Sequence, residues 1–139
     1  RFEIEQALFQ DKVTVNELPA VWNQKYMDYL NQRIENDSEG VMQDTHWAGG
    51  AFGYFPSYAL GNIYGGQILR TMEKDLPNWR DQLQKGDFHS IKQWLTASVY
   101  RHGDLYDPTP LLKKVTDESI NVQPFISYLN TKFSQLYEY

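Results

Sequence analysis

The sequence predicts an all-α fold of about five to six helices, and this prediction depends on three observations. Apolar residues recur at helical spacing along most of the chain, as at Leu60, Ile63, Tyr64 and Ile68. No segment of similar length alternates apolar and polar residues, and no Asn-Gly or Asp-Gly dipeptide joins two β-branched runs. A length of 139 residues with 41% hydrophobic residues suits one domain. We therefore expect residues 1–139 to form a single helical unit.

The first helical segments lie in the N-terminal third. The opening "RFEIEQALF" resembles the end of an amphipathic helix already under way, so we expect the chain to be a piece of a longer protein. A helix over about residues 18–34 follows, with Pro19 in its first turn and Asn16 or Glu17 as its cap. The polar stretch "NQRIENDSEG" after it is expected to be an exposed connection.

A second helix is predicted between Pro56 and Pro77, and it contains Gly61, Gly65 and Gly66. Glycine costs a helix interior about 1 kcal/mol relative to alanine. Three glycines so close together therefore indicate that another backbone or a ligand approaches this helix.

Three more helical stripes follow towards the C-terminus. The first runs from Phe88 to Val99 and ends at Gly103, a short helix opens at Asp107-Pro108, and the last stripe should run almost to the end of the chain. The charged segment "MEKDLPNWRDQLQKGD" between the stripes is expected to be a solvated face and a helix connection. Three tryptophans are expected to pack without a nearby polar partner: Trp22, Trp79 and Trp94.

Composition excludes several classes of function. Asp and Glu number 18 against 13 Lys and Arg, and no Lys/Arg stripe is present, so we expect neither a nucleic-acid partner nor an anionic membrane surface. The absence of cysteine excludes disulfides and thiolate metal sites and fits a cytoplasmic location. No apolar run has the length of a bilayer span.

One irregular stretch, "GVMQDTHWAGGAFGYFPSY" from Gly40 to Tyr58, concentrates aromatic and ionisable side chains, and two interpretations compete for it. In the first it is a packed turn, with Asp44 as a cap and His46 as a hydrogen-bonded packing residue. The aromatic residues that would then fill the gap between helices are Trp47, Phe52, Tyr54 and Phe55.

In the second interpretation the stretch is a binding site. A carboxylate two residues from an imidazole can fix its tautomer and favour its charged form, which makes the histidine a good donor to an anion. Glycines 49, 50 and 53 would let the backbone approach a ligand, and Tyr54 or Tyr58 could supply phenolic donors.

The stretch resembles one known family. Gly40, Gln43, Asp44, His46 and Trp47 complete the G-x-x-Q-D-x-H-W signature of the carboxypeptidase Taq family of metallocarboxypeptidases. The similarity continues through "GGAFGYFPSYALGN" and includes "RFEIE", "ELPAVWN" and the terminal "YLNTKFSQLY", so it covers nearly the whole chain. One departure is "TDES", where relatives tend to carry T-G-E, and it puts a local turn in doubt.

The resemblance implies a helical, zincin-like peptidase that removes single C-terminal residues from peptides with zinc or cobalt, as a cytoplasmic homodimer. The family holds its metal with the two histidines of H-E-x-x-H and a downstream glutamate. The histidines here are His46, His89 and His102, with no i, i+4 pair, and His89 and His102 are expected at surface or capping positions. The chain is therefore expected to be a C-terminal part that lacks the metal ligands and is inactive without the missing N-terminal part.

Within that resemblance, His46 is the candidate catalytic donor to the substrate carboxylate or to the tetrahedral intermediate. Asp44 is its orienting partner, and Trp47 packs behind it in the substrate-binding region. Tyr54 and Tyr58 are candidate donors in the transition state. The alternative is a helical protein-interaction module without catalytic activity, with an exposed apolar patch around His46.

Overall fold

The computed structural model of the protein describes residues 1–137. Its helices and turns are connected by irregular segments, and no strand is present in this range. The prediction of an all-α fold is confirmed. The described part contains seven α-helices and four short 3₁₀-helices, rather than the predicted five to six helices. The α-helices are α1 (Phe2–Phe9), α2 (Leu18–Leu30), α3 (Pro56–Asp75), α4 (Trp79–Gln84), α5 (His89–Ser98), α6 (Pro108–Thr116) and α7 (Gln123–Tyr137). The 3₁₀-helices are Val15–Glu17, Val41–Gln43, Trp47–Gly49 and Tyr100–His102.

The boundaries of α2 show both the strength and the limit of the sequence argument. Pro19 lies in the first turn as predicted, and Glu17 is the N-cap residue. The Glu17 side chain does not cap α2, because it accepts hydrogen bonds from the Thr14 backbone N–H and hydroxyl at 2.8 and 2.7 Å. The helix ends at Leu30 and not near residue 34, because Asn31 takes the left-handed conformation, with φ 49° and ψ 39°.

The charged segment "MEKDLPNWRDQLQKGD", predicted to be a solvated face and a helix connection, contains α4. This helix has six residues, so it is too short to show an apolar stripe in the sequence. The prediction for Trp94 is also wrong, because its indole N–H donates to Asp75 Oδ2 at 2.7 Å. Trp79 lies against the Arg80 guanidinium, 4.5 Å from the ring centroid.

The chain divides into two compact units, Arg1–Tyr58 and Ala59–Tyr139. The expectation of one helical unit over the whole chain stays a prediction. The core of the first unit contains Ile4 of α1 and Trp22 of α2, each 2% exposed. Trp22 stacks on Tyr26 and meets Trp47 edge-on, with ring centroids 5.4 and 5.9 Å apart.

In the second unit the buried residues lie on α3, α6 and α7: Met72 and Leu112 are 5% and 2% exposed, and Pro124 is buried on α7. Gln67 is fully buried and bridges the segment before α7, donating to the Ser119 carbonyl at 3.0 Å and accepting from the Asn121 N–H at 2.8 Å. This amide therefore ties the connection between α6 and α7 to the middle of α3.

Two of the remaining sequence predictions concern turns. The stretch over residues 31–39 is exposed apart from a half-buried Ile34, as predicted for a polar connection. Asp117, in the "TDES" stretch, ends α6 in the left-handed conformation with φ 59° and ψ 17°. The turn therefore forms with aspartate at a backbone position that favours glycine.

The other two histidines lie where the sequence places them, at the surface or near helix ends. His89 is exposed at the start of α5, and its backbone N–H donates to Asp87 Oδ1 at 2.9 Å. His102 is half-buried and meets Tyr106 edge-on at 5.4 Å. Among residues 1–137, no helix combines the length and the apolar character needed to cross a membrane.

Candidate functional site

The irregular stretch between α2 and α3, residues 40–55, is called here the His46 loop. It contains two 3₁₀-helices and begins at Gly40, which is buried. A Cβ at Gly40 would lie 3.0 Å from Ile34 Cγ2 and 3.1 Å from Asn23 Oδ1, so only glycine fits there without a shift. Gly50 and Gly53 have φ values of 77° and 75°, which reverse the backbone after the second 3₁₀-helix.

Asp44 is the buried anion of the loop, and its side chain is 0% exposed. Its Oδ1 accepts the Trp47 backbone N–H at 2.9 Å, so it caps the turn as the packing interpretation predicts. Its Oδ2 lies 2.8 Å from Arg1 Nε and 3.7 Å from His46 Nδ1. Oδ2 makes no hydrogen bond among the described residues, so Arg1 and Asp44 interact as an ion pair.

His46 is half-buried and presents one edge of its ring to solvent. Its side chain is 33% exposed, whereas its Nδ1 is buried and has no hydrogen-bond partner among the described residues. Tyr54 stacks on the imidazole with centroids 5.7 Å apart, and Phe55 meets it edge-on at 4.9 Å. Solvent therefore reaches the imidazole on atoms other than Nδ1.

The two tyrosines predicted as donors lie together beside this histidine. Tyr54 is 49% exposed and Tyr58 is 55% exposed, and their rings meet edge-on at 5.2 Å. The pKa of Tyr58 is raised above its ordinary value, chiefly by a hydrogen bond with the Tyr54 side chain and to a smaller extent by partial desolvation. Tyr54 thus contacts the imidazole directly, and Tyr58 contacts Tyr54.

Trp47 is held by a residue that the sequence analysis did not single out. Its indole N–H donates to Glu5 Oε1 at 2.9 Å, and the Gly53 N–H donates to Glu5 Oε2 at 3.2 Å. Glu5 lies on α1 and is 3% exposed. Nothing in its spacing distinguishes Glu5 from Glu3, which is exposed on the same helix.

Arg1 is the second residue that sequence reasoning missed. Its guanidinium carbon lies 5.3 Å from the Trp22 ring and 5.2 Å from the Phe55 ring, in addition to the ion pair with Asp44. Arginine commonly stacks on aromatic faces in this way. Arg1 therefore links the aromatic core of the first unit to the carboxylate beside His46.

The described residues do not fit a metal centre. Over residues 1–137, no group of three His, Cys, Asp or Glu side chains is placed to hold a metal ion. His46 lies beside the Asp44 carboxylate, and that carboxylate already faces Arg1. A structural or catalytic zinc site takes three or four protein ligands, so the pair alone is too few.

Comparison with known proteins gives consistent results along the chain. The family described as carboxypeptidase Taq (M32) metallopeptidase matches residues 1–133. Carboxypeptidase 1 of Bacillus subtilis (strain 168) is 51% identical over 137 residues, which cover 99% of this chain and 27% of that protein. Thermostable carboxypeptidase 1 of Thermus thermophilus is 39% identical over 137 residues, with the same two shares.

A solved structure agrees with these sequence matches. The M32 carboxypeptidase from Deinococcus radiodurans R1 superposes with a TM-score of 0.92 at 30% identity, over 99% of this chain and 28% of that one. The chain thus spans about 27% of the length of the curated relatives it matches.

Proposed function

The chain belongs to the carboxypeptidase Taq (M32) metallopeptidase family, as the signature in the His46 loop predicts, and from this premise we propose that it works as part of a metallocarboxypeptidase. The substrate class is peptides with a free C-terminus, from which the C-terminal residue is hydrolysed. Support comes from the relatives, which are named carboxypeptidases and extend well beyond this chain.

In this proposal the chain supplies one wall of the cleft. Because the described residues offer no metal centre, we place the ligands of the zinc or cobalt ion in the part of the family that this chain does not cover. The chain alone is then inactive, and the segment that carries the ligands is its first partner. The family resemblance also supports a cytoplasmic homodimer.

The observation that carries the proposal is a part-exposed imidazole whose inner nitrogen faces a fully buried carboxylate. When His46 carries a proton, Asp44 attracts Nδ1 across 3.7 Å and keeps that nitrogen on the buried side. The exposed edge then remains for an anionic group of the substrate. The proposed acceptor is the substrate's terminal carboxylate or the oxygen that becomes negative during hydrolysis.

The two tyrosines extend this donor surface. The Tyr58 side chain forms a hydrogen bond with the Tyr54 side chain, and this bond is the chief cause of the raised Tyr58 pKa. Tyr54 stacks on His46, whereas Tyr58 meets the ring of Tyr54 edge-on. We therefore assign Tyr54 the larger role in the transition state and Tyr58 the task of orienting it.

The test is made in a full-length protein that contains this chain. His46→Ala should lower kcat/KM for a blocked dipeptide by about 10²- to 10³-fold, the usual effect of losing one preorganised donor, while metal content stays unchanged. His89→Ala is the matched control, since His89 is an exposed histidine on α5. Near-normal rates for His46→Ala, or loss of the metal, would contradict the assignment.

The tyrosine assignment has its own comparison. Tyr54→Phe should lower kcat more than Tyr58→Phe, because Tyr54 contacts the imidazole and Tyr58 reaches it through Tyr54. Equal effects of the two variants would show that stacking on His46 does not decide which hydroxyl acts.

One observation keeps the interaction-module alternative open. Phe9 is 71% exposed and meets Phe52, itself 43% exposed, edge-on at 5.4 Å, so large apolar rings face solvent beside the His46 loop. The 139-residue chain and a full-length protein should be compared for hydrolysis of a blocked dipeptide with added zinc. Hydrolysis by the full-length protein alone supports the proposal, and inactivity of both would favour the interaction module.

A further inference from the structure

We propose that Glu5 is a positioning residue, which sets the geometry of the His46 loop by holding it at Trp47 and at Gly53. The inference rests on the proposed function, because it assigns to Glu5 the task of presenting His46 and Tyr54 to the substrate. Glu5 belongs to α1 and lies outside the signature that marks the loop.

Glu5 acts as a clamp, because each of its two carboxylate oxygens accepts a hydrogen bond from one of two anchors in the His46 loop, Trp47 and Gly53. Glu5 Oε1 accepts the Trp47 indole N–H at 2.9 Å, and Oε2 accepts the Gly53 backbone N–H at 3.2 Å. Trp47 directly follows His46, and Gly53 directly precedes Tyr54. One rigid carboxylate therefore fixes the separation of the two residues that stack 5.7 Å apart.

The segment between these two anchors is otherwise held by short-range backbone hydrogen bonds, such as the one from the Ala51 N–H to the His46 carbonyl at 2.9 Å. A Cβ at Gly49, Gly50 or Gly53 would meet nothing within 4 Å, so this backbone lacks close packing in the described structure. Gly50 and Gly53 also have left-handed φ values, which leave the segment free to take other conformations. The clamp supplies an order that local packing does not.

The burial of Glu5 supports a role for its carboxylate in this contact. Glu5 is 3% exposed, and no Lys, Arg or His side chain forms an ion pair with it among the residues that the structure describes. An unpaired buried carboxylate is costly unless hydrogen bonds satisfy it. The two N–H groups of the His46 loop provide those bonds, so the charge and the loop depend on each other.

Glu5→Gln in the full-length protein tests the clamp with the smallest change. The carboxamide keeps one acceptor and turns the other atom into a donor, so either Trp47 or Gly53 faces a donor instead of an acceptor. The matched control is Glu3→Gln, an exposed carboxylate on the same helix. The first readout is hydrogen exchange at the Gly53 amide and at the Trp47 indole N–H, at least one of which should exchange at least about tenfold faster in Glu5→Gln, while both stay unchanged in Glu3→Gln.

The second readout is a double-mutant cycle with His46→Ala. Glu5→Gln should lower kcat/KM by about 10- to 100-fold in the native background, the usual effect of a misplaced catalytic group. In the His46→Ala background it should cost less than about threefold, because His46 is already gone and Tyr54 has lost the ring on which it stacks. A purely structural role would give the same fold-loss in both backgrounds and would overturn the proposal.

The two readouts separate failure of the clamp from failure of the proposed function. Unchanged exchange at both the Gly53 amide and the Trp47 indole N–H refutes the clamp whatever the enzyme does. Faster exchange with normal activity of His46→Ala preserves the clamp's effect on the loop and refutes the catalytic role of His46. If Glu5→Gln does not fold, Trp47→Phe removes one of the two donors, and it should show the same dependence on His46 with a smaller loss.

Discussion

Gly66 is the position where one added methyl group tests the packing of the second unit most directly. An ideal Cβ there would lie 2.9 Å from the N, Cα and Cβ atoms of Phe125. Because these atoms belong to the backbone of α7 and the root of its side chain, they can move only if the helix moves. The predicted close approach of a backbone to the glycines of α3 is thus confirmed at Gly66. At Gly61 and Gly65 a Cβ would meet nothing within 4 Å.

The expected magnitude for Gly66→Ala follows from two opposing effects. Alanine gains about 1 kcal/mol over glycine in a helix interior. Forcing a methyl group into a closed contact costs about 1–3 kcal/mol, and the upper half of that range applies here because the contact is with backbone. We therefore expect a net destabilisation of about 1–2 kcal/mol. Gly65→Ala has the same helix gain without the contact, so it should stabilise by up to about 1 kcal/mol.

The assay is urea unfolding of the 139-residue chain, in which the loss of helix is monitored by circular dichroism. The decisive quantity is the difference in unfolding free energy between Gly66→Ala and Gly65→Ala, which should be about 2–3 kcal/mol. Gly61→Ala serves as a second control with open space around its Cβ. If the Gly66 and Gly65 variants unfold within about 0.5 kcal/mol of each other, the reasoning that α7 blocks a side chain at Gly66 is refuted.

Three further predictions concern single residues. Asp117→Gly should stabilise the chain by about 1 kcal/mol in urea unfolding, because Asp117 has a φ of 59°, and a destabilised variant would contradict this. The pKa of Glu3 is lowered chiefly by its hydrogen bond from Lys25, so its contribution to stability is present above the ordinary carboxyl pKa and is lost as pH falls through the lowered pKa. Lys25→Met should raise the Glu3 pKa measured in an NMR titration. The pKa of His102 is lowered by partial burial and two neighbouring cations, so stability should fall as pH drops below the ordinary histidine pKa; Lys114→Gln should raise the His102 pKa in an NMR titration.

Periodicity in the sequence predicts the longer helices well, because each buries one face and its apolar residues must recur with the helical repeat. The stripe from Phe125 onwards becomes α7, which extends to Tyr137 at the end of the described residues. Periodicity fails where an element is too short or a single backbone conformation decides. The six residues of α4 make less than two turns, and α2 stops early because Asn31 is left-handed.

The contacts of the candidate site are likewise of two kinds, between residues close in sequence and between residues far apart in sequence. Asp44, His46 and Tyr54 lie within eleven residues of one another, and a capping turn with an aromatic stack brings them together. Their proximity could be predicted because short separations leave few alternatives. The contacts of Glu5 with Trp47 and Gly53 span 42 and 48 residues, and no local pattern encodes them.

Glu3 and Glu5 show why a distant contact of this kind escapes sequence reasoning. Residues two apart on a helix point about 200° apart, so one of the two carboxylates must face outwards when the other faces inwards. Glu3 faces Lys25 and Tyr29 of α2 at the surface, and Glu5 turns to the His46 loop. The apolar residues of α1 form no clean stripe that would identify the inner face before the fold is known. A charged residue in such a helix is ordinarily assigned to solvent, although here it provides the two acceptors on which the order of the His46 loop depends.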